Sequence, residues 1–165
     1  MRTPVIGVMG AGEPSPRYLA LARELGREIA KAGWILLTGG RDVGVMDAAS
    51  AGAKEISGSL TLGILPEASS RVSPHVDVAV FTDLGNARNN INVLTSDVVV
   101  ACGVEGPGTA SEVALALKSG KPVVLLAADE AALRFFEGLA PGRIRGAADV
   151  SEAIKMVRNA LAGRA

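Results

Sequence analysis

A chain of 165 residues is close to the common size of one domain and long enough to bury one core. Apolar residues make up 48% of it, which excludes disorder for the body of the chain. Its 17 basic and 17 acidic residues cancel, and aromatic residues are only 3%. Neither a net field nor a stacking surface draws it to nucleic acid, and no nucleic-acid partner is expected.

Short Val-rich runs alternate with helical patterns, the signature of βαβ units. Val5 to Met9 reads as the first strand. Ser15-Pro16 opens a helix, with Ser as N-cap and Pro at the first helical position. Tyr18, Leu21, Ala22, Leu25 and Ile29 recur at helical spacing and predict its buried face. Gly33 stops that helix, Trp34 to Thr38 forms the second strand, and a second helix runs from Val45 to about Ile56. The third strand is Leu60 to Leu65, residues 67 to 75 form an irregular surface loop, and Val76 to Phe81 is the fourth strand. A short helix over Ala87 to Leu94 leads to the fifth strand, Asp97 to Ala101. A helix from Ser111 to Lys118 and a sixth strand, Pro122 to Ala127, follow. Helices near Ala131–Phe136 and Ser151–Leu161 finish the chain, with Ser151 as N-cap. The expected fold is α/β: a Rossmann-like open, mostly parallel sheet flanked by helices on both faces, in one domain spanning residues 1–165.

No apolar run reaches the ~20 residues that a bilayer span needs, so no membrane partner is expected. Met1-Arg2-Thr3-Pro4 runs directly into the first strand without a signal-peptide pattern, which suits a cytoplasmic protein. Cys102, at the end of a buried strand, reads as a small packed hydrophobe. His75 stands in a polar loop, and no Cys/His/Asp cluster has metal-ligand spacing, so no metal site is expected.

In open parallel sheets, ligands bind outside the carboxyl ends of the strands. Three of those ends carry glycine-rich turns: Gly10-Ala11-Gly12, Gly39-Gly40-Arg41-Asp42-Val43-Gly44, and Gly103-Val104-Glu105-Gly106-Pro107-Gly108-Thr109. Glycine lets backbone N–H groups approach a phosphate, and the following helix adds its positive end. One such turn is weak support, since tight βα turns need glycine anyway; three at one sheet edge point to a site. Two nucleotide motifs fail. Ser15 stands where the third glycine of a dinucleotide fingerprint belongs, and Thr109 stands where the lysine of a P-loop is required.

The run Gly103 to Glu112 resembles a variant of the Pro-Gly-Gly-x-Gly-Thr-x-x-Glu motif of Lonely Guy-type phosphoribohydrolases and the related molybdenum cofactor carrier proteins. Gly39-Gly40 through Gly44-Val45-Met46 resembles their Gly-Gly-Gly-x-x-Gly-Leu-Met segment, and Arg88 in Leu84 to Asn89 sits where they place a ligand-facing arginine. The likeness covers nearly the whole chain in the same order. Such relatives have often been labelled lysine decarboxylases, but no lysine here has a setting for pyridoxal phosphate. Pro107 replaces the second glycine of the expected pair, and Asn89 replaces the lysine that follows the arginine in the Lonely Guy enzymes. Both departures fit the carrier-like branch better.

The three glycine turns and the resemblance together imply a ligand site built from Gly10, Gly12, Gly39, Gly40, Gly44, Met46, Gly103, Gly106, Gly108 and Thr109, and the resemblance puts Glu112 and Arg88 at the sugar if the protein is an enzyme. The expected ligand is a phosphorylated small molecule, either a nucleoside monophosphate or a molybdopterin-type cofactor carried as cargo, with no cofactor required. The alternative is a nucleoside 5′-monophosphate phosphoribohydrolase releasing free base and ribose 5-phosphate. The resemblance also implies a homodimer or higher homo-oligomer. Two residues keep a simpler reading. Thr109-x-x-Glu112 is also a capping box with Thr109 as N-cap, and Arg88 is also readable as half of a surface salt bridge. Arg41 and Asp42 are readable as solvated charges.

Overall fold

The computed structural model describes residues 2–163; Met1, where the reading of the amino terminus begins, lies outside the described residues. Seven strands form one all-parallel sheet: β1 (Val5–Met9), β2 (Ile35–Thr38), β3 (Thr61–Leu65), β4 (Val78–Phe81), β5 (Val98–Cys102), β6 (Val123–Leu126) and β7 (Ile144–Ala147), in the order β4-β3-β2-β1-β5-β6-β7. Strands β1, β5 and β6 are buried at every position, which is why they read as continuous Val/Leu/Ile runs without alternation. Their alternate residues feed two separate cores. On one face Ile6, Val8, Val98 and Val100 meet α1 (Pro16–Lys31), α2 (Gly44–Ala53) and α6 (Val150–Ala162). On the other, Met9, Val99, Ala101 and Leu125 meet α3 (Arg88–Thr95), α4 (Pro107–Lys118) and α5 (Glu130–Leu139).

The expected elements stand within a few residues of their observed bounds, with three corrections. The chain from 137 to 150 holds a seventh strand, β7, absent from the sequence-based reading. It is an edge strand of sequence Ile-Arg-Gly-Ala, exposed at its two middle residues, so it has neither the length nor the apolar run that marks the interior strands. Helix α4 begins at Pro107 with Gly106 as N-cap, not at Ser111. Pro107 needs no N–H partner at the first helical position, so the helix starts four residues earlier and Thr109 lies inside it. The capping box Thr109–Glu112 therefore does not form. Finally, Asp149 caps α6 in place of Ser151: it accepts from Glu152 N at 2.8 Å, while Glu152 accepts from Ala148 N at 2.8 Å.

Candidate functional site

Strand order reverses between β1 and β5, because β1 is followed in space by β2, β3 and β4 on one side and by β5, β6 and β7 on the other. At such a switch point the loops after the two neighbouring strands part in opposite directions and leave a crevice. Here those loops are the first and third glycine turns. A cleft of about 280 Å³ opens between them. Gly10, Ala11 and Gly12 form one wall, Gly106 to Thr109 the other, and Gly39, Arg41 and Met46 close the end nearest β2. Asn86 lines the cleft from the 3-10 turn just before α3, Arg88 and Asn89 from the first turn of α3, Glu112 from α4, and Val8 and Met9 from β1.

Of the residues singled out from the sequence, Gly10, Gly12, Gly39, Met46, Arg88, Gly106, Gly108, Thr109 and Glu112 line this one cleft. Gly40, Gly44 and Gly103 do not; they shape the turns behind it. Gly44 has φ +57°, and a Cβ there would collide with the carbonyl oxygens of Ala11 and Gly12. Val45 N donates to Ala11 O at 3.1 Å, so this close approach stitches the second turn to the first. Gly40 packs on Gly63 and Gly103 on the ring of Tyr18. Gly39 acts differently. A Cβ on it would strike the guanidinium of Arg88 and, at 2.6 Å, the sulfur of Met46. Its missing side chain is the space in which Arg88 lies.

Arg88 is the first residue of α3, where the helix dipole disfavours a cation. No ion pair holds it among the described residues, so the surface salt bridge does not form, and its buried Nη1 has no hydrogen-bond partner. Burial pulls the guanidinium below the usual arginine range; Glu112 opposes that and Arg41 adds to it. A buried, unpaired donor costs about 1–3 kcal/mol. An anionic ligand would supply the missing acceptor.

Glu112 is 7% exposed and accepts one hydrogen bond, from Asn92 Nδ2 at 3.0 Å. Burial pushes its carboxyl above the usual carboxylate range, while Asn92 and Arg88 pull the other way. Thr109 is 3% exposed, and no side chain caps α4. The first-turn N–H groups of that helix lack intrahelical partners, and with the helix dipole they favour an anion.

Several residues of the site carry no strong sequence signal. Asn92 is fully buried and orients Glu112; only its position one helical turn after Arg88 hints at it. Asn89 donates from Nδ2 to Ser111 Oγ at 3.1 Å, tying α3 to α4 beside the cleft. Arg41 is exposed yet lines the cleft, whereas Asp42 is paired with Arg71 at 2.6 Å. Cys102 lies behind the third turn with its thiol pushed up to about 12 by burial and by Glu105. Among the described residues no three His, Cys, Asp or Glu side chains converge in a metal-binding group, and no helix is long and apolar enough to cross a membrane.

The sequence profile of the SLOG cluster4 family matches residues 3–154. The chain belongs to the SLOG cluster4 family. Its fold superposes on the molybdenum cofactor binding protein of Rippkaea orientalis with a TM-score of 0.93 at 52% identity, over 98% of this chain and 99% of that one. The molybdenum cofactor carrier protein of Chlamydomonas reinhardtii gives 0.91 at 53% identity, over 97% and 99%. An uncharacterized protein of Archaeoglobus fulgidus is 42% identical over 126 residues, 76% of this chain and 82% of its own length. The resemblance to the carrier proteins read from the glycine turns is thus matched along nearly the whole chain.

Proposed function

We propose that this member of the SLOG cluster4 family binds and carries a phosphorylated molybdopterin-type cofactor in the cleft between its first and third glycine turns. The observation that carries the reading is the buried Arg88 Nη1, which has no partner and lies in the same cleft as the uncapped end of α4. A phosphate there accepts from the first N–H groups of α4 at Gly108 and Thr109 and from Arg88, a charge-assisted set that holds an anion in place. Gly10, Ala11 and Gly12 form a wall with almost no side chain, against which a flat ring system can lie. Carrying requires no bond to break. Glu112 then serves as a buried polar group that fixes Asn92 and faces Arg88. The named functions of the Rippkaea orientalis and Chlamydomonas reinhardtii proteins support the choice of cargo. The carrier works in the cytoplasm as a homodimer or higher homo-oligomer.

The test is to load the purified protein with molybdenum cofactor, remove free cofactor by gel filtration, and measure the retained pterin by fluorescence after oxidation. Retention at a fixed ratio to protein, lost in Arg88→Ala, is the expected result; no retention by the parent protein overturns the reading. Sedimentation showing only monomer overturns the oligomer.

A second reading rests on Glu112, a carboxylate in the cleft on the same helix as the phosphate-facing turn. There it would stabilise positive charge developing on a ribose as an N-glycosidic bond breaks. Incubation with AMP, GMP, CMP, UMP and IMP separates the two. Free base released by the parent and not by Glu112→Ala establishes a phosphoribohydrolase; no release from any of them leaves the carrier.

A further inference from the structure

We propose that Arg41 is a second anion-binding residue of the cleft, which together with Arg88 selects a ligand bearing a doubly charged phosphate, a phosphomonoester, over a singly charged one. The inference rests on the phosphate reading of the cleft and adds to it the residue and the charge that decide which ligand is held.

Arg41 lies in the second glycine turn and lines the cleft at the end nearest β2. The residue is exposed, but its backbone is fixed. It pairs with Val72 in an isolated antiparallel bridge, and Ser73 N donates to Gly40 O at 2.9 Å. The loop after β3 thus pins the turn, and ligand binding has only the Arg41 side chain left to order. The Arg88 guanidinium lies at the same end of the cleft, against the bare Cα of Gly39 and beside Met46. The carboxylates that could neutralise Arg41 are engaged elsewhere. Asp42 is paired with Arg71 at 2.6 Å, Asp47 accepts from Ser73 Oγ at 2.7 Å, and Glu112 accepts from Asn92. Among the described residues neither Arg41 nor Arg88 has a carboxylate partner.

Arg41, Arg88 and Glu112 are the charged side chains that line the cleft. With Glu112 ionised they leave a single positive charge. The uncapped start of α4 adds about half a charge more, so the cleft is positive by about one and a half charges. Burial pushes Glu112 toward its neutral form, which raises that excess. In a chain of zero net charge this is a local concentration, not a general field. A monoanion leaves the cleft positive, and a dianion neutralises it. The two arginines also repel each other. Burial is the main reason that the Arg88 guanidinium sits below the usual arginine range, and Arg41 pulls it down further. A dianion relieves that repulsion and supplies the acceptor that Arg88 Nη1 lacks. A phosphomonoester is doubly charged above its second ionisation, near pH ~6, whereas a phosphodiester or a sulfate ester carries one charge.

The test uses two probes of one shape, methyl phosphate, a dianion at pH 8, and methyl sulfate, a monoanion. Each is titrated into nitrogen-15-labelled protein at low ionic strength, where exposed charges are least screened, and amide shifts at Gly108 and Thr109 report binding. The proteins are the parent, Arg41→Gln, which loses the charge, and Arg41→Lys, which keeps it. The parent is expected to bind methyl phosphate about tenfold or more tightly than methyl sulfate. A unit charge near the site acts twice as strongly on a dianion as on a monoanion. Arg41→Gln should therefore lose about tenfold for methyl phosphate and about threefold for methyl sulfate, while Arg41→Lys stays within about threefold of the parent for methyl phosphate. The proposal is wrong if the parent binds both probes equally or if Arg41→Gln holds methyl phosphate within about twofold of the parent. An Arg41→Lys as weak as Arg41→Gln also overturns it, because charge would then not be what Arg41 contributes. If methyl phosphate moves neither amide in any of the three proteins, the phosphate reading of the cleft itself fails, and the selectivity fails with it.

Discussion

Replacing Glu112 with Gln removes a charge from a buried position while keeping the shape of the side chain. In the parent, one hydrogen bond from Asn92 reaches the carboxylate, and Arg88 acts on it without a direct ion pair. The Asn92 Oδ1 atom beside it is buried and has no partner. One charge-assisted bond offsets about 1.5–3 kcal/mol of a desolvation penalty that amounts to several kcal/mol for a buried ion, leaving a net cost of about 1–2 kcal/mol. The neutral amide of Glu112→Gln does not bear that cost, and its N–H can donate to the orphaned Asn92 oxygen. For a chain of this size about 1 kcal/mol shifts Tm by about 2–4 °C, so the ligand-free variant should melt about 2–8 °C above the parent near pH 8. The pH dependence has a definite sign. The folded-state carboxyl titrates above its unfolded value, so its contribution to stability is complete below the ordinary carboxylate range and is lost as pH rises through the folded value. Thermal melts of both proteins from about pH 4 to about pH 8 should therefore diverge upward in pH and coincide at the acid end. Groups common to both proteins cancel in the difference. A variant that melts at or below the parent at pH 8, or differs from it equally at all pH values, would show that Arg88 and Asn92 fully satisfy the carboxylate and would refute this account.

Three further outcomes follow from the same geometry. Arg88→Met should lower phosphate affinity about 10–100-fold in calorimetry while the ligand-free Tm stays within about 3 °C of the parent, because the lost guanidinium has an unpaired buried N–H. Gly39→Ala should push the Arg88 guanidinium out of the cleft. Its cost is about 1–3 kcal/mol of overpacking, read as a lower urea midpoint, together with weaker phosphate binding. Cys102, buried and with its thiol pushed up to about 12, should remain unlabelled by iodoacetamide at pH 8 in the folded protein and react once urea unfolds it.

Much of this molecule is legible in its residues taken in order. Val98 to Cys102 and Val123 to Leu126 are buried on both faces, so their apolar runs declare interior parallel strands without any knowledge of neighbours. The three glycine turns, each at a strand end, mark the sheet edge at which the cleft opens, because backbone conformation and helix polarity are local properties. The same local logic misplaced the start of α4: Thr109-x-x-Glu112 has the spacing of a capping box, but Pro107 offered an earlier start. Only the tertiary structure decided what Glu112 and Arg88 are. Their partners, Asn92 for the carboxylate and the bare Cα of Gly39 for the guanidinium, lie 20 and 49 residues away along the chain. The pairing of Glu105 with Ser15 spans 90 residues. Burial, and with it the direction in which an ionisable group shifts, depends on everything packed around a side chain. That sum is fixed by how strands and helices from distant parts of the chain assemble, and no spacing along the sequence records it.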